Sequence, residues 1–145
     1  METHKLIQEG IDLGKRVVVP IVNKETHELS LSELKRLGDL APGAFPGIYE
    51  PAIPWRIPVD PSEVELVIVP GVVYDRHGGR IGMGGGFYDR LLDRMTNATR
   101  IALAFSLQLR QQKLPLEDHD LPIHTIITES EVIAISDLGA SLPKT

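Results

Sequence analysis

The chain has 145 residues, no cysteine, 42% hydrophobic and 24% charged residues, and a formal net charge of −5. Its length fits one domain spanning residues 1–145, and its composition is that of a folded globule rather than a disordered chain. Disulfides, thiolate metal sites, a thiol nucleophile, an apolar membrane span, a basic-then-apolar leader and generic nucleic-acid binding are all disfavoured, while an anionic small ligand needs only a locally basic pocket.

Residues 3–13 predict a helix capped by Thr3, with Leu6, Ile7 and Ile11 on one face and Gly14 as its stop. The apolar run Val17–Val22 predicts a strand buried on both faces. Residues 29–37 fit either a short strand or a helical turn. From Pro42 to Pro61 there are six prolines in twenty residues. That stretch predicts an ordered extended loop, with Phe45, Ile48, Tyr49, Ile53 and Trp55 as apolar anchors. Glu65–Pro70 predicts a second buried strand, and Val72–Tyr74 a continuation after Gly71. Residues 75–80 (Asp-Arg-His-Gly-Gly-Arg) predict a tight hairpin turn. Phe87 to about Met95 predicts a helix with Phe87, Leu91, Leu92 and Met95 on one side. Ile101–Phe105, Ile123–Thr128 and Val132–Ile135 predict further strands, and Leu114–Pro122 an acidic loop. Strands alternating with helices imply an α/β sheet protein.

Six of the thirteen glycines lie between Gly78 and Gly86. Glycine lets backbone approach a ligand closely and adopt positive φ, and successive amides in such a loop can form an anion nest. A helix starting at Phe87 adds its dipole and free N–H groups, so phosphate suits Gly82, Gly84, Gly85 and Gly86. The loop matches neither the Walker nor the dinucleotide-binding spacing. Residues 71–100 carry a net charge of +2, which leaves −7 for the rest. Arg80 enters the loop and Arg90 leaves it, and either can reach a phosphate through a bidentate fork. Arg94 reads better as part of a solvated helix face.

Asp89, in the first turn of that helix, either complements the dipole or holds Mg²⁺ beside phosphates. Glu117, Asp118 and Asp120 form a second acidic group with His119 and His124, either a rigid carboxylate-presenting loop or an ordinary acidic turn. The two histidines are five apart, and no third firm ligand for structural zinc accompanies them. Phe87 and Tyr88 are candidates to cover a ring-shaped ligand, or are core and half-buried residues respectively.

The run Val69-Pro-Gly-Val-Val-Tyr-Asp-Arg-His-Gly-Gly-Arg-Ile-Gly-Met-Gly-Gly-Gly-Phe-Tyr-Asp-Arg90 resembles the signature of the 5-formyltetrahydrofolate cyclo-ligase family, also called methenyltetrahydrofolate synthetases. Leu114-Pro-Leu-Glu-Asp-His-Asp120 with Ile126-Ile-Thr-Glu129 resembles that family's C-terminal signature, and Gly14-Lys-Arg-Val-Val-Val-Pro20 is similar to its early strand. The resemblance implies a three-layer αβα fold with a mostly parallel sheet, of the type shared by glucosamine-6-phosphate deaminase, ribose-5-phosphate isomerase and CoA-transferases. It implies ATP-dependent cyclisation of 5-formyltetrahydrofolate to 5,10-methenyltetrahydrofolate with release of ADP and phosphate, and ATP and Mg²⁺ as cofactors.

Carried over by position, Arg80 and Tyr88 take the catalytic places. Lys15, Arg16, Arg80, Gly82, Gly84, Gly85, Gly86, Tyr88 and Arg90 fall to ATP. Glu2, Met83 and Phe87 fall to the folate, and Asp89 and Asp120 to Mg²⁺; Trp55 is assigned to the folate from its place in the proline-rich loop. A cytoplasmic protein with small-molecule partners, neither nucleic acid nor membrane, and a monomeric or at most weakly dimeric state go with this reading. Two departures stand out. Family members usually begin with a basic helix and a strand, which this chain lacks on the resemblance, at a cost to ATP binding and activity. The family often has aspartate where this chain has His124. The competing readings are a catalytically impaired nucleotide- or folate-binding homologue and a relative acting on another substrate.

Overall fold

The computed structural model describes residues 3–116 and 120–135. The chain divides into two compact units, residues 1–61 and 62–145.

The first unit opens with α1 (Thr3–Asp12). Gly14, at φ 76°, ends it. The Gly14 amide bonds the Ile11 carbonyl and the Lys15 amide bonds the Gly10 carbonyl, each at 3.0 Å. This is a Schellman closure, which needs a left-handed residue and so selects glycine. An antiparallel sheet follows, ordered β1 (Val18–Asn23), β2 (Glu28–Glu33) and β5 (Ile57–Val59). The apolar run at residues 17–22 predicts burial on both faces, but β1 is only partly buried. It lies at one end of the strand order, and burial falls on the central β2, where Leu29 and Leu31 join Leu34 and Val59 in the core. Of residues 29–37, which fit either strand or turn, residues 29–33 belong to β2, and the 3-10 turn Leu37–Asp39 begins only at the last of them.

The proline-rich stretch is ordered, as expected, but it is not one loop. It contains β3 (Leu40–Pro42) paired antiparallel with β4 (Tyr49–Pro51), and then β5. Pro58 is tolerated because β5 is an end strand and needs no inward amide there. The predicted apolar anchors are largely exposed, Ile53 at 77% and Trp55 at 52%. Polar ties hold the stretch instead. Buried Glu50 accepts the Val22 amide at 2.8 Å, and buried Ser32 Oγ accepts the Ile57 amide at 2.9 Å.

In the second unit a four-stranded sheet has the order β12 (Val132–Ala134), β11 (Thr125–Ile127), β9 (Thr99–Leu103), β6 (Leu66–Ile68). Its β6–β9 and β9–β11 pairings are parallel and only β12 runs antiparallel. The expected α/β character with parallel strands is therefore present here. The predicted full burial of residues 65–70 is not. Leu66 and Ile68 are exposed while Val67 and Val69 are buried, the alternation of a strand at the end of a sheet. Between β6 and β9 run β7 (Val73–Asp75), β8 (Arg80–Ile81) and α2 (Phe87–Arg94). The β7–β8 pair is the predicted hairpin, with Gly78 at φ 92° in its turn. β10 (Leu109–Arg110) adds parallel to β7. Leu91, Leu92 and Met95 of the α2 segment join Val69, Ala102, Ala104, Ile123 and Ile126 in the core. Among the described residues, no helix is long and apolar enough to cross a membrane.

Candidate active site

The glycine-rich loop leaves β8 and enters α2. Gly84, Gly85 and Gly86 have φ of 96°, 81° and 68°, a succession of left-handed residues open only to glycine at modest cost. Gly86 is the N-cap of α2 and makes no side-chain cap bond. As glycine, the N-cap residue offers no side chain of its own to the first amides of α2, and the positive end of the helix dipole faces the loop.

Two arginines brace this loop. Arg80 donates through Nη1 to the Pro70 carbonyl at 3.0 Å and through Nη2 to Asp89 Oδ1 at 2.6 Å. Its side chain is only 8% exposed, against 43% for Asp89. The Pro70 contact tethers Arg80 just past the carboxyl end of β6, the side of a parallel sheet where α/β proteins place ligands. Close packing extends around it: a Cβ on Gly71 would approach the Arg80 Cγ and the Tyr74 hydroxyl to 2.9 Å, and one on Gly82 would approach Arg80 Nη1 to 2.9 Å. On the far side of the loop, Arg90 Nη2 donates to the Gly85 carbonyl at 2.6 Å. Burial pushes the hydroxyls of Tyr74 and Tyr88 above the usual tyrosine range, with the Arg80 charge pulling the other way. Both are therefore phenols at neutral pH, able to donate a hydrogen bond. Tyr74 already does, to the Val69 carbonyl at 3.1 Å.

Arg80, Tyr88, Asp89, Arg90 and the glycines are thus gathered around one loop. Met83 at its tip is 95% exposed, and Phe87 lies partly buried at the start of α2. Arg94 is exposed, as its solvated-face reading expects. Asp120 is partly buried and follows residues 117–119, which lie outside the described residues with the acidic group they carry. Glu2 also lies outside them. In the first unit, Lys15 and Arg16 are exposed just after the α1 closure, with Arg16 Nε 3.4 Å from Glu33 Oε1. Trp55 lines a cleft of about 290 Å³ with Lys35, Arg36, Asp39, Pro54 and Ile57, and the Arg36 guanidinium lies 5.8 Å from its ring centroid. The sequence reading missed Lys35 and Arg36 as neighbours of Trp55, because nothing local links residues so far apart.

In the sequence Asp75 shows only as part of a turn. It is fully buried, and Oδ1 accepts the His77 and Gly79 amides at 2.7 and 2.8 Å while Oδ2 accepts the Leu114 amide at 2.7 Å. An aspartate opening a turn with glycine four residues on is an Asx-turn signal, but the Leu114 bond has no sequence signature. His124 Nδ1 accepts the Arg100 amide at 2.9 Å, and Arg100 Nε donates to the Pro122 carbonyl at 2.6 Å. Burial, and then the Arg100 charge, lowers the His124 pKa.

Among the described residues, no group of three or more histidines and carboxylates would hold a metal by itself. Mg²⁺ binds mainly through phosphate oxygens and water with one or two carboxylates, so it needs no such group.

A model of the 5-formyltetrahydrofolate cyclo-ligase family matches residues 1–129. The 5-formyltetrahydrofolate cyclo-ligase of Escherichia coli K12 is 33% identical over 139 residues, covering 91% of this chain and 73% of that protein. The same-named protein of Haemophilus influenzae is 33% identical over 130 residues, 88% of this chain and 68% of that one. The NMR structure of Aquifex aeolicus 5,10-methenyltetrahydrofolate synthetase superimposes with a TM-score of 0.78 at 34% identity, covering 99% of this chain and 70% of that one.

Proposed function

The chain belongs to the 5-formyltetrahydrofolate cyclo-ligase family, and from that premise we propose that it converts 5-formyltetrahydrofolate and ATP into 5,10-methenyltetrahydrofolate, ADP and phosphate. In this reaction the formyl oxygen attacks the γ-phosphate and ADP leaves. N10 then closes the ring on the activated carbon, and phosphate departs with the former formyl oxygen. Little covalent work falls to the protein, so its contribution is positioning and charge neutralisation.

The observation that carries this reading is Arg80, buried and held in a fork beside three left-handed glycines at a helix N-terminus. In it, Arg80 neutralises phosphoryl charge and the loop amides with Lys15, Arg16 and Arg90 hold the nucleotide. Tyr88, a phenol at neutral pH, donates a hydrogen bond to the reacting groups. Trp55, Met83, Phe87 and Glu2 are assigned to the folate. Asp89 and Asp120 would hold Mg²⁺, which when bound neutralises the phosphate oxygens. The family match runs through both compact units, which supports reading residues 1–145 as one functional domain. We place it in the cytoplasm, as a monomer or at most a weak dimer, acting on small molecules alone.

The test is to mix the purified chain with ATP, Mg²⁺ and 5-formyltetrahydrofolate, and to follow the methenyl chromophore and ADP together. Equal accumulation of both is expected. No chromophore, with the Escherichia coli relative active in parallel, would reject the assignment.

A further inference from the structure

Among the described residues of the second unit, the Asp75 carboxylate is the most thoroughly enclosed charged group, with 0% exposure. A buried carboxylate is costly unless its oxygens are satisfied, and here three backbone amides satisfy them. Two come from its own turn, His77 and Gly79. The third, Leu114, is 39 residues away and opens the segment that runs through residues 117–119 to Asp120. The other end of that segment is pinned to the same turn, since the Ile123 amide donates to the Gly78 carbonyl at 2.8 Å. The fit is close at both glycines. A Cβ on Gly78 would come within 2.7 Å of the Ile123 carbonyl, and one on Gly79 would run into the Asp75 carboxylate and within 3.0 Å of Leu116. One turn therefore grips both ends of the loop that carries Asp120, and the next residue after that turn is Arg80.

We propose that Asp75 is a positioning residue, which anchors Leu114 and, through its turn, Ile123, and so holds Asp120 in fixed relation to Arg80 and the glycine loop. It touches no substrate. Its carboxylate acts through the Leu114 amide on one side and the His77 and Gly79 amides on the other. This rests on the cyclo-ligase reading, because only that reading gives Asp120 a task.

Asp75→Asn isolates the long-range bond. The asparagine carbonyl can still accept from the turn, but its NH₂ presents a donor to the Leu114 amide where an acceptor is required. Leu114→Pro cuts the same tie from the other side by deleting the donor, and leaves the buried carboxylate in place. The first readout is backbone hydrogen exchange without ligands. Both variants should speed exchange at Leu116, Asp120, Leu121 and Ile123 about tenfold while β9 and β11 stay protected. The second is a kinetic split: kcat should fall, and half-saturating Mg²⁺ in the presence of ATP should rise about tenfold, while the KM for 5-formyltetrahydrofolate moves less than about twofold. Arg76→Ala, in the same turn but bonded outward to Glu131 at 2.6 Å, should change neither readout.

Unchanged exchange in both variants would overturn the anchoring. Faster exchange with unaltered kcat and Mg²⁺ requirement would overturn the link to catalysis. An inactive parent chain would instead count against the cyclo-ligase assignment, and the exchange experiment would still decide whether Asp75 anchors the loop.

Discussion

The Arg80 guanidinium donates to Asp89 Oδ1 at 2.6 Å across the glycine-rich loop. The same guanidinium reaches the Pro70 carbonyl at 3.0 Å, so its planar fork is used in two directions at once. Lysine offers one rotatable point charge and cannot make both contacts with that geometry. Arg80→Lys is therefore expected to lower kcat/KM about a hundredfold, close to the effect of Arg80→Ala. Steady-state rates checked against far-UV circular dichroism would measure this, and a lysine variant within about twofold of the parent would count against the fork.

Asp89 is both the partner of Arg80 and the proposed Mg²⁺ carboxylate. Asp89→Asn retains a hydrogen-bond acceptor for Arg80 but loses the charge that draws a cation. Activity should fall about tenfold or more at limiting Mg²⁺ and recover in part as Mg²⁺ is raised, since the lost ligand weakens binding rather than abolishing it. Loss of activity that no Mg²⁺ concentration relieves would place the Asp89 effect elsewhere.

The glycine loop separates backbone strain from crowding. Gly84 has φ 96° with no atom within 4 Å of an added Cβ. Gly84→Ala therefore tests strain alone and should cost about 1–2 kcal/mol. At Gly86 an added Cβ would lie 3.1 Å from Arg90 Nη1, so Gly86→Ala should also disturb the Arg90 brace and raise the KM for ATP more than Gly84→Ala does. Gly38, with open space around it and no positive φ, is the control. Gly38→Ala should be neutral or slightly stabilising. Thermal melts and ATP titrations on the three variants distinguish these effects.

The His124 ring supplies a pH dependence whose sign can be worked out. Nδ1 accepts the Arg100 amide and the Arg100 guanidinium lies 3.4 Å from Nε2, so the fold requires the neutral ring. The folded pKa is lowered from its ordinary 6.5 by burial first and by Arg100 second. Below pH 6.5 the unfolded chain then binds the proton more readily than the folded one. Stability is accordingly full above that pH, and is lost as the pH falls through it toward the lowered folded value. His124→Gln should melt at lower temperature near neutrality but with a flatter pH profile on the acid side. Parallel profiles for parent and variant would show that His124 is not the titrating group.

Trp55 is about half exposed, with Arg36 over its ring in the first unit. A half-exposed ring that lines a cleft adds little to stability and offers a flat face to an aromatic ligand. Trp55→Ala should raise the KM for 5-formyltetrahydrofolate about tenfold while leaving the KM for ATP and the melting temperature nearly unchanged. A large drop in melting temperature would make Trp55 structural instead.

Much of the local structure was legible in the residues. Gly14 marked the end of α1, Gly78 the hairpin turn, and the glycines before Phe87 the backbone at the start of α2. Each of these is a conformational demand met within a few residues, and glycine meets it by lacking a Cβ. The paired signatures at residues 69–90 and 114–129 likewise carried the family. Burial was read less well. Apolar runs at residues 17–22 and 65–70 looked like strands buried on both faces, but both became end strands, because position within a sheet depends on which other strands pair and not on the run itself. The proline-rich stretch looked anchored by its aromatic and aliphatic side chains, yet buried Glu50 and Ser32 tie it down through distant amides.

What the sequence by itself determined is where the backbone must turn left-handed and which charged residues flank that turn. Only the tertiary structure decided that Asp75 bonds Leu114, that Arg80 spans Pro70 and Asp89, and that His124 is kept neutral by burial first and by Arg100 second. These partners are far apart in the chain, and a hydrogen bond between distant groups leaves no periodic or local trace. It exists only once folding has brought them within about 3 Å and excluded the water that would otherwise compete.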